Sequence, residues 1–255
     1  GLTEDLTPYI KASGYDIEDF GDGMIEAAKY NGKQVSLPFL ISTQIMYYNK
    51  DMADEMGITI PTTWDEMDAF MEKGTKKAAD GSTEVYATII PGWDQWYFET
   101  FYLNQGVKII NDDQVTTDLG DEKAVAIAQK IQDWCNAGYT YWTGTAEDAS
   151  SNMRQNFISG KALSVVHTSS LYNNYVDQCD FEIGMSWLPG ADTKNQEIGG
   201  CVLLIPSKND QATKNAAWQF LQYLCSKEVN MTWAEGTGYM PTRKSVLETE
   251  EGKAF

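Results

Sequence analysis

The sequence predicts a mixed α/β fold with a sizeable core, and three observations lead to that prediction. Segments with apolar residues at helical spacing alternate with short runs of β-branched and aromatic residues. The 255 residues are enough for one large or two medium domains. The composition, 42% hydrophobic and 22% charged, is typical of globular proteins. No repeat or low-complexity linker divides the chain, so any two domains should be joined by strands or tight crossings.

The alternation begins near the start of the chain. Short helical pieces are expected at 6–10 and 19–30, and a turn follows at Asn31–Gly32–Lys33. Two strand-like segments come next, at 35–39 and 45–48. The polar pair Ser42–Thr43 is expected to interrupt them.

The middle of the chain carries the most regular helix pattern. The capping-box spacing of Thr63 and Glu66 predicts a helix start. A strand is expected at 85–90, and an aromatic segment at 93–102 has a helical pattern. Residues 122–137 form an amphipathic pattern that ends at Gly138, with its apolar face made of Ala124, Ile127, Ala128, Ile131, Trp134 and Cys135.

The second half continues in the same way. Helices are expected at 152–158 and 212–226, because apolar residues recur there at helical spacing. Strands are expected at 163–166, 181–187 and 201–205.

Charge argues against nucleic acid as a partner. Acidic residues outnumber basic ones by 37 to 19, and the net charge of −18 would repel a phosphate backbone. No stretch approaches the roughly 20 consecutive apolar residues of a membrane span, and the start has no signal-peptide pattern. We expect that any export signal or lipid anchor has been removed.

The sequence predicts neither a cofactor nor a metal site. The four cysteines are widely spaced and form no CxxC pair, and Cys135 and Cys225 fall on apolar helix faces as small core residues. The acidic run at 111–118 could suggest calcium, but it lacks EF-hand spacing and favours a solvated turn.

Catalytic motifs are also missing from the sequence. The single histidine, His167, follows a predicted strand without a nucleophile motif, and a lone histidine there is most often structural. No HExxH, P-loop or GxGxxG occurs. The prediction is a protein that is not an enzyme. The alternative is a glycoside-active enzyme, because such an enzyme needs only two carboxylates and the chain has many.

Four motifs in order resemble the family 1 extracellular solute-binding proteins of carbohydrate ABC importers. The resemblance spans essentially the whole chain. Its nearest branch is similar to the glycerol-3-phosphate-binding proteins, through 92–96 and 167–170. The four motifs are 36–39 with 42–43 and 47–51, then 60–66, 198–200 and 237–242.

This resemblance implies a two-lobe periplasmic-binding-protein-like fold with hinge crossings. Residues 1–48 would belong to the N-terminal lobe, 49–200 to the C-terminal lobe and 201–238 to the N-terminal lobe again. Residues 239–255 would form the third crossing and the start of the return to the C-terminal lobe. The family's usual opening β-α-β unit has no counterpart here, so a chain truncated at both ends is expected, with exposed apolar residues around Leu2, Leu6, Ile10 and Phe20.

The resemblance also implies a function. The protein would capture a sugar or oligosaccharide in an interlobe cleft and deliver it to the membrane permease subunits of an ABC transporter. It would lie outside the cytoplasm, in the periplasm or as a lipoprotein on the outer face of the cell membrane. The alternative ligand is sn-glycerol 3-phosphate or a glycerophosphodiester. That branch holds phosphate with an arginine near its C terminus, and Arg243 and Lys244 do not match its position.

The candidate binding residues combine flat apolar platforms with small polar groups, as a polyhydroxylated ligand requires. The aromatic platforms are Trp93, Trp96 and Tyr239, for which the alternative role is core packing. The polar candidates are Ser42, Thr43, Ser169, Ser170, Gly199 and Gly200. The two glycines could instead form a tight bend, and the second serine pair could simply cap a helix.

Overall fold

A computed structural model describes residues 2–144, 147–191 and 195–254. The strands in these residues are β1 (Lys29–Tyr30), β2 (Lys33–Gln34), β3 (Leu37–Asn49), β4 (Lys76–Lys77), β5 (Thr83–Ile90), β6 (Thr140–Trp142), β7 (Ala162–Thr168), β8 (Ile183–Ser186) and β9 (Ile198–Leu203). The helices are α1 (Thr7–Ser13), α2 (Asp22–Ala27), α3 (Lys50–Met56), α4 (Met67–Lys73), α5 (Trp96–Asn104), α6 (Glu122–Asn136), α7 (Ala149–Ile158), α8 (Tyr172–Gln178), α9 (Gln211–Leu224), α10 (Lys227–Thr237), α11 (Lys244–Leu247) and α12 (Glu250–Ala254).

One mixed sheet contains β3 to β9. Its main path runs in the order β4-β5-β7-β3-β8, while β6 also pairs with β5 and β9 with β3. Strand β5 runs parallel to β6 and β7, and β3 runs antiparallel to β7 and β8. Parallel neighbours need crossover connections, and helices α5, α6 and α7 lie in those connections. The chain therefore mixes helices and strands as the sequence predicts.

The long strand β3 corrects one prediction. Two segments separated by a break at Ser42–Thr43 were expected, but a single strand runs from Leu37 to Asn49. A polar pair interrupts the apolar pattern without interrupting backbone hydrogen bonds, provided that its hydroxyls find partners. The Thr43 hydroxyl donates to the Glu197 carbonyl oxygen at 3.0 Å.

Helix starts follow local capping, with one shift. Asn49 is the last residue of β3. Its side-chain oxygen accepts a hydrogen bond from the Met52 amide at 2.8 Å, which caps α3. The Glu66 carboxylate accepts from the amides of Thr62 and Thr63, yet α4 begins only at Met67. Helix α10 was not predicted, although Ser226 caps it by accepting from the Val229 amide.

Contacts divide the chain into two compact units, each described here by itself. The first contains Gly1–Ser42, Ser169–Asn173 and Ile198–Phe255, and the second contains Thr43–Thr168 and Asn174–Glu197. The domain boundaries expected after residues 48, 200 and 238 stay a prediction. The contact division puts residues 43–48 in the second unit and 239–255 in the first.

The core of the second unit contains most of the face predicted for α6, but Ala128 is exposed and Cys135, expected to be a core residue, is only half-buried. Four residues of that face, Ala124, Ile127, Ile131 and Trp134, are buried together with residues of α4 and α5. The aromatic residues add tilted ring contacts: the ring centroids of Trp64 and Trp134 lie 5.3 Å apart, and those of Trp64 and Phe101 lie 5.8 Å apart.

A buried arginine, Arg243, connects several residues of the core of the first unit. The buried guanidinium of Arg243 pairs with Asp19 at 2.9 Å and lies over the Phe20 ring, 4.4 Å from its centroid. It also donates to the Tyr15 hydroxyl at 2.6 Å. The guanidinium of Arg243 therefore makes its contacts inside the core of the first unit. The apolar part of that core contains Leu6, Phe20, Leu37, Phe39, Ile205, Trp218, Leu221 and Cys225.

Of the four apolar residues expected to be exposed, Leu2 is exposed, Ile10 is half-buried, and the prediction is wrong for the other two. Leu6 and Phe20 are fully buried because they pack in the core with α9, while Leu2 is exposed. The larger exposed group lies on and beside β9 and on α9, and consists of Ile198, Val202, Leu204, Phe220 and Tyr223.

Substitution of Phe101, which is 1% exposed, tests whether a buried aromatic side chain stabilises the fold more than an exposed one. Phe101→Ala should lower the free energy of unfolding by about 3 to 5 kcal/mol, because it leaves a cavity. The matched variant Phe220→Ala, at a residue that is 58% exposed, should change it by less than about 0.5 kcal/mol. Urea unfolding measures both. Equal losses would show that the Phe220 ring is covered in solution.

Candidate functional site

An aromatic group follows β5 in the second unit. The rings of Trp93 and Trp96 both contact the ring of Tyr97 edge to face, at centroid distances of 5.3 Å and 5.0 Å. Tyr97 is buried, whereas both tryptophans are partly exposed. The structure therefore brings Trp93 and Trp96 together on one buried support.

His167, near the end of β7, supports the same group. It is buried, its ring lies 6.0 Å from that of Trp93, and its Nδ1 is 2.9 Å from the Tyr175 hydroxyl. Burial lowers the pKa of His167 to about 3, with a smaller contribution from the charge of Arg154. The imidazole is therefore neutral at physiological pH and acts as packing and a hydrogen-bonding group.

Two buried polar residues of β3 hold the segments around the aromatic group. Gln44 is fully buried, and its amide nitrogen donates to the Trp96 carbonyl oxygen. Its amide oxygen accepts from the Thr100 hydroxyl at 2.5 Å. Thr43 holds the chain before β9 through the Glu197 carbonyl, as described above. Strand β3 thereby fixes the first turn of α5.

A pair of carboxyl groups lies beside this strand, and the sequence did not point to it. Glu197 lies near Glu99 and Gln44, whose side chains both affect its pKa. Burial, followed by the hydrogen bond and charge of Glu99, raises the pKa of Glu197 to about 7, and Asp94 adds to the effect. No short motif could reveal the pair, because its members come from distant parts of the chain.

In the first unit, Gly200 is explained by close packing on β3. Its φ of 126° is unfavourable for any residue with a side chain, and a Cβ there would lie 2.1 Å from the Leu40 carbonyl oxygen. Backbone contact therefore accounts for this glycine. Gly199 precedes it in β9.

The serine pair and Tyr239 also meet in the first unit. Ser169 and Ser170 lie in a single 3-10 turn before α8, and their carbonyl oxygens lie beside Gly238, the left-handed residue that ends α10. The Met240 amide donates to the Ile41 carbonyl at 2.9 Å, which fixes Tyr239 beside the β3 segment that contains Ser42.

The predicted binding residues thus form two groups. Thr43, Trp93 and Trp96 belong to the second unit. The first unit contains Ser42, Ser169, Ser170, Gly199, Gly200 and Tyr239. Solute binding by these nine residues stays a prediction.

The described residues were also searched for metal sites, disulfides and membrane-spanning helices. These residues contain no group of three His, Cys, Asp or Glu side chains arranged to hold a metal ion. The Asp113 carboxylate in the acidic turn accepts from the amides of Val115 and Thr116. The four cysteines are free thiols. No described helix is both long and apolar enough to cross a membrane.

Solved structures of similar architecture identify the fold. The chain matches UgpB of Mycobacterium tuberculosis, in complex with glycerophosphocholine, with a TM-score of 0.85 and 22% identity, over 100% of this chain and 63% of that one. It matches maltose-bound MalE3 of T. maritima with a TM-score of 0.82 and 21% identity, over 99% of this chain and 65% of that one. The predicted α/β fold of periplasmic-binding-protein type is confirmed.

Sequence comparison then gives the family. The family model for bacterial extracellular solute-binding proteins matches residues 1–254, so the chain belongs to that family, which confirms the resemblance. The chain is 27% identical over 239 residues to the sn-glycerol-3-phosphate-binding periplasmic protein UgpB of Yersinia pestis, covering 88% of this chain and 52% of the relative. It therefore spans about half the length of such relatives.

Gly200→Ala should destabilise the protein by more than about 1 kcal/mol, because the new Cβ would have to displace the Leu40 backbone. Gly236→Ala is the control, because that glycine lies in α10 with open space around a new Cβ. This substitution should raise the free energy of unfolding by about 0.5 to 1 kcal/mol. Thermal unfolding of both variants gives the comparison. Unchanged stability of Gly200→Ala would show that β9 does not approach β3 as described.

Proposed function

We propose that this chain is part of the solute-binding subunit of a bacterial ABC importer and that it captures a sugar or oligosaccharide. The observation that carries the proposal is the pair Trp93 and Trp96, held on the buried Tyr97 next to the polar side chains of β3. Aromatic faces take the C–H faces of a sugar ring, and fixed polar groups orient its hydroxyls.

Membership of the family supports the rest of this function. A solute-binding protein releases its ligand to a membrane permease, so the permease subunits are the proposed partners. The proposed location is outside the cytoplasm, in the periplasm or at a lipid anchor on the outer face of the membrane.

The second candidate ligand is sn-glycerol 3-phosphate or a glycerophosphodiester. Two similar proteins support it: UgpB of Yersinia pestis is an sn-glycerol-3-phosphate-binding protein, and UgpB of Mycobacterium tuberculosis was solved with glycerophosphocholine. Arg243 is not available for phosphate, because its guanidinium is buried in the ion pair with Asp19.

A glycoside-active enzyme has weaker support. Glycosidases hold their two carboxyl groups about 5 to 9.5 Å apart, with the scissile bond between them. The chain belongs to a family of solute-binding proteins, which supports binding. We therefore propose binding without turnover. Recovery of a labelled oligosaccharide intact after incubation agrees with binding, and release of shorter products would contradict it.

Trp93→Ala and Tyr239→Ala should each weaken binding of the solute at least about tenfold, because each removes a proposed aromatic platform of its own unit. Trp187→Ala, at an exposed tryptophan of the second unit outside the aromatic group, should leave affinity unchanged. Thermal shift with a panel of sugars and phosphorylated polyols finds the ligand, and calorimetry gives the affinities.

The same experiment includes the contrary outcome. If the two site variants keep full affinity but lose several degrees of unliganded melting temperature, both side chains are core residues and the proposed site is wrong. Affinity lost in Trp187→Ala to the same extent would also contradict it.

A further inference from the structure

A cavity of about 470 Å³ lies in the second unit, between α7 and the strands β5 and β6. Sites for small molecules commonly have volumes of about 300 to 1,000 Å³. On the sheet side, this α7 cavity is lined by Tyr86, Tyr141 and Thr143, and on the helix side by polar residues of α7 and its N-cap. None of the nine binding residues predicted from the sequence lines it. The cavity is therefore a separate feature of the second unit.

The sheet side of the α7 cavity has two aromatic rings. The rings of Tyr86 and Tyr141 contact each other edge to face, with their centroids 5.0 Å apart, and both side chains are partly exposed. Rings that pack on each other in this way are held in fixed positions, and an aromatic face takes the C–H groups of a sugar ring. The side-chain amide of Asn156 donates to the Tyr141 hydroxyl at 2.8 Å. That hydroxyl therefore keeps its own hydrogen to donate to a ligand.

The helix side of the α7 cavity adds donors and acceptors without a positive charge. Asn152 and Gln155 are exposed and lie three residues apart, so they are neighbours on the helix surface. The Asn152 amide nitrogen donates to the Asp148 carboxylate at 2.9 Å, and its amide oxygen can accept from a ligand. Among the described residues that line the cavity, Asp148 alone is charged. This lining repels a phosphate and suits neutral hydroxyl groups, which both donate and accept.

Two sets of contacts connect the α7 cavity to the aromatic group that follows β5. The Thr143 hydroxyl, in the cavity wall, accepts from the amide of Gly92 at 2.8 Å, and Gly92 directly precedes Trp93. Trp93 is also connected to α7 through a row of buried rings that includes His167 and Tyr175. The cavity wall is therefore bonded to the residue next to Trp93, so one ligand of several sugar rings could contact both.

On the basis of the proposed function, we propose that the α7 cavity is a second sugar subsite, which takes a further ring of a neutral oligosaccharide whose other end lies on Trp93 and Trp96. That further ring packs its C–H face on Tyr141, and its hydroxyls bond to the amides of Asn152 and Gln155. The ligand is therefore an oligosaccharide rather than a single sugar or a phosphorylated polyol.

The subsite is tested by calorimetry with glucose as the one-ring probe and with maltotriose, cellotriose and raffinose as three-ring probes. The wild type should bind at least one trisaccharide about tenfold more tightly than glucose. The double variant Asn152→Ala/Gln155→Ala should lose that gain and keep its affinity for glucose. Both positions are exposed on a helix, where alanine is favourable, so the variant should fold. The control Gln129→Ala/Gln132→Ala removes two exposed amides at the same spacing on α6 and should change neither affinity.

Nuclear magnetic resonance reports on the cavity directly. The side-chain amide signals of Asn152 and Gln155 are identified because they are missing from the spectrum of the double variant. These signals should shift when the tightest-binding trisaccharide is added to the wild type, and should stay in place with glucose.

Three outcomes would overturn the proposal. The first is wild-type binding of glucose as tight as that of every trisaccharide, which would leave the proposed sugar importer function standing without the second subsite. The second is a trisaccharide affinity that the α7 double variant keeps, or that the α6 control loses to the same extent. The third is binding of none of the four probes, which would contradict the sugar ligand of the proposed function together with the subsite.

Discussion

The structure depends on the burial of polar side chains in the middle of β3. Thr43 and Gln44 lie inside the protein, where an unpaired polar group costs about 1 to 3 kcal/mol. Each must therefore find partners, and those partners are the carbonyl oxygens of Glu197 and Trp96. A requirement of one strand thus fixes two other segments, the start of α5 and the chain before β9.

The first half of the same strand organises the other unit by a different means. Here the contacts are backbone to backbone: Leu40 lies against Gly200, and Ile41 accepts from the Met240 amide. A glycine is required at the first contact because no side chain fits. Along β3, hydrogen bonds from polar side chains hold some distant segments close to the strand, and the absence of a Cβ at Gly200 lets another segment approach it.

Sequence periodicity predicted what depends on local pattern. Four of the six residues predicted for the apolar face of 122–137 form the buried face of α6, since a helix repeats over many residues and one face must be buried. The break at Ser42–Thr43 was wrong, because polarity says nothing about whether a hydroxyl has a partner elsewhere in the fold. Helix α10 was overlooked because Ser226 both follows one helix and caps the next.

The candidate site shows the same limit more strongly. Trp93, Trp96 and Tyr239 could be named from motifs, because aromatic residues beside glycines in a known order are visible in one dimension. The roles of Gln44, Glu99 and Glu197 arise only when three distant segments meet. Arg243 illustrates the converse: its surroundings, Asp19, Tyr15 and Phe20, show it to be a core residue.

The most direct measurement of this account is amide hydrogen exchange in the variant Gln44→Met. Methionine fills a similar volume but can neither donate to the Trp96 carbonyl nor accept from Thr100. We predict faster exchange in the first turn of α5, at residues 96–100, with the rates of α6 unchanged. If α5 exchanges at the wild-type rate in this variant, its position does not depend on the buried amide of β3, and the account is contradicted.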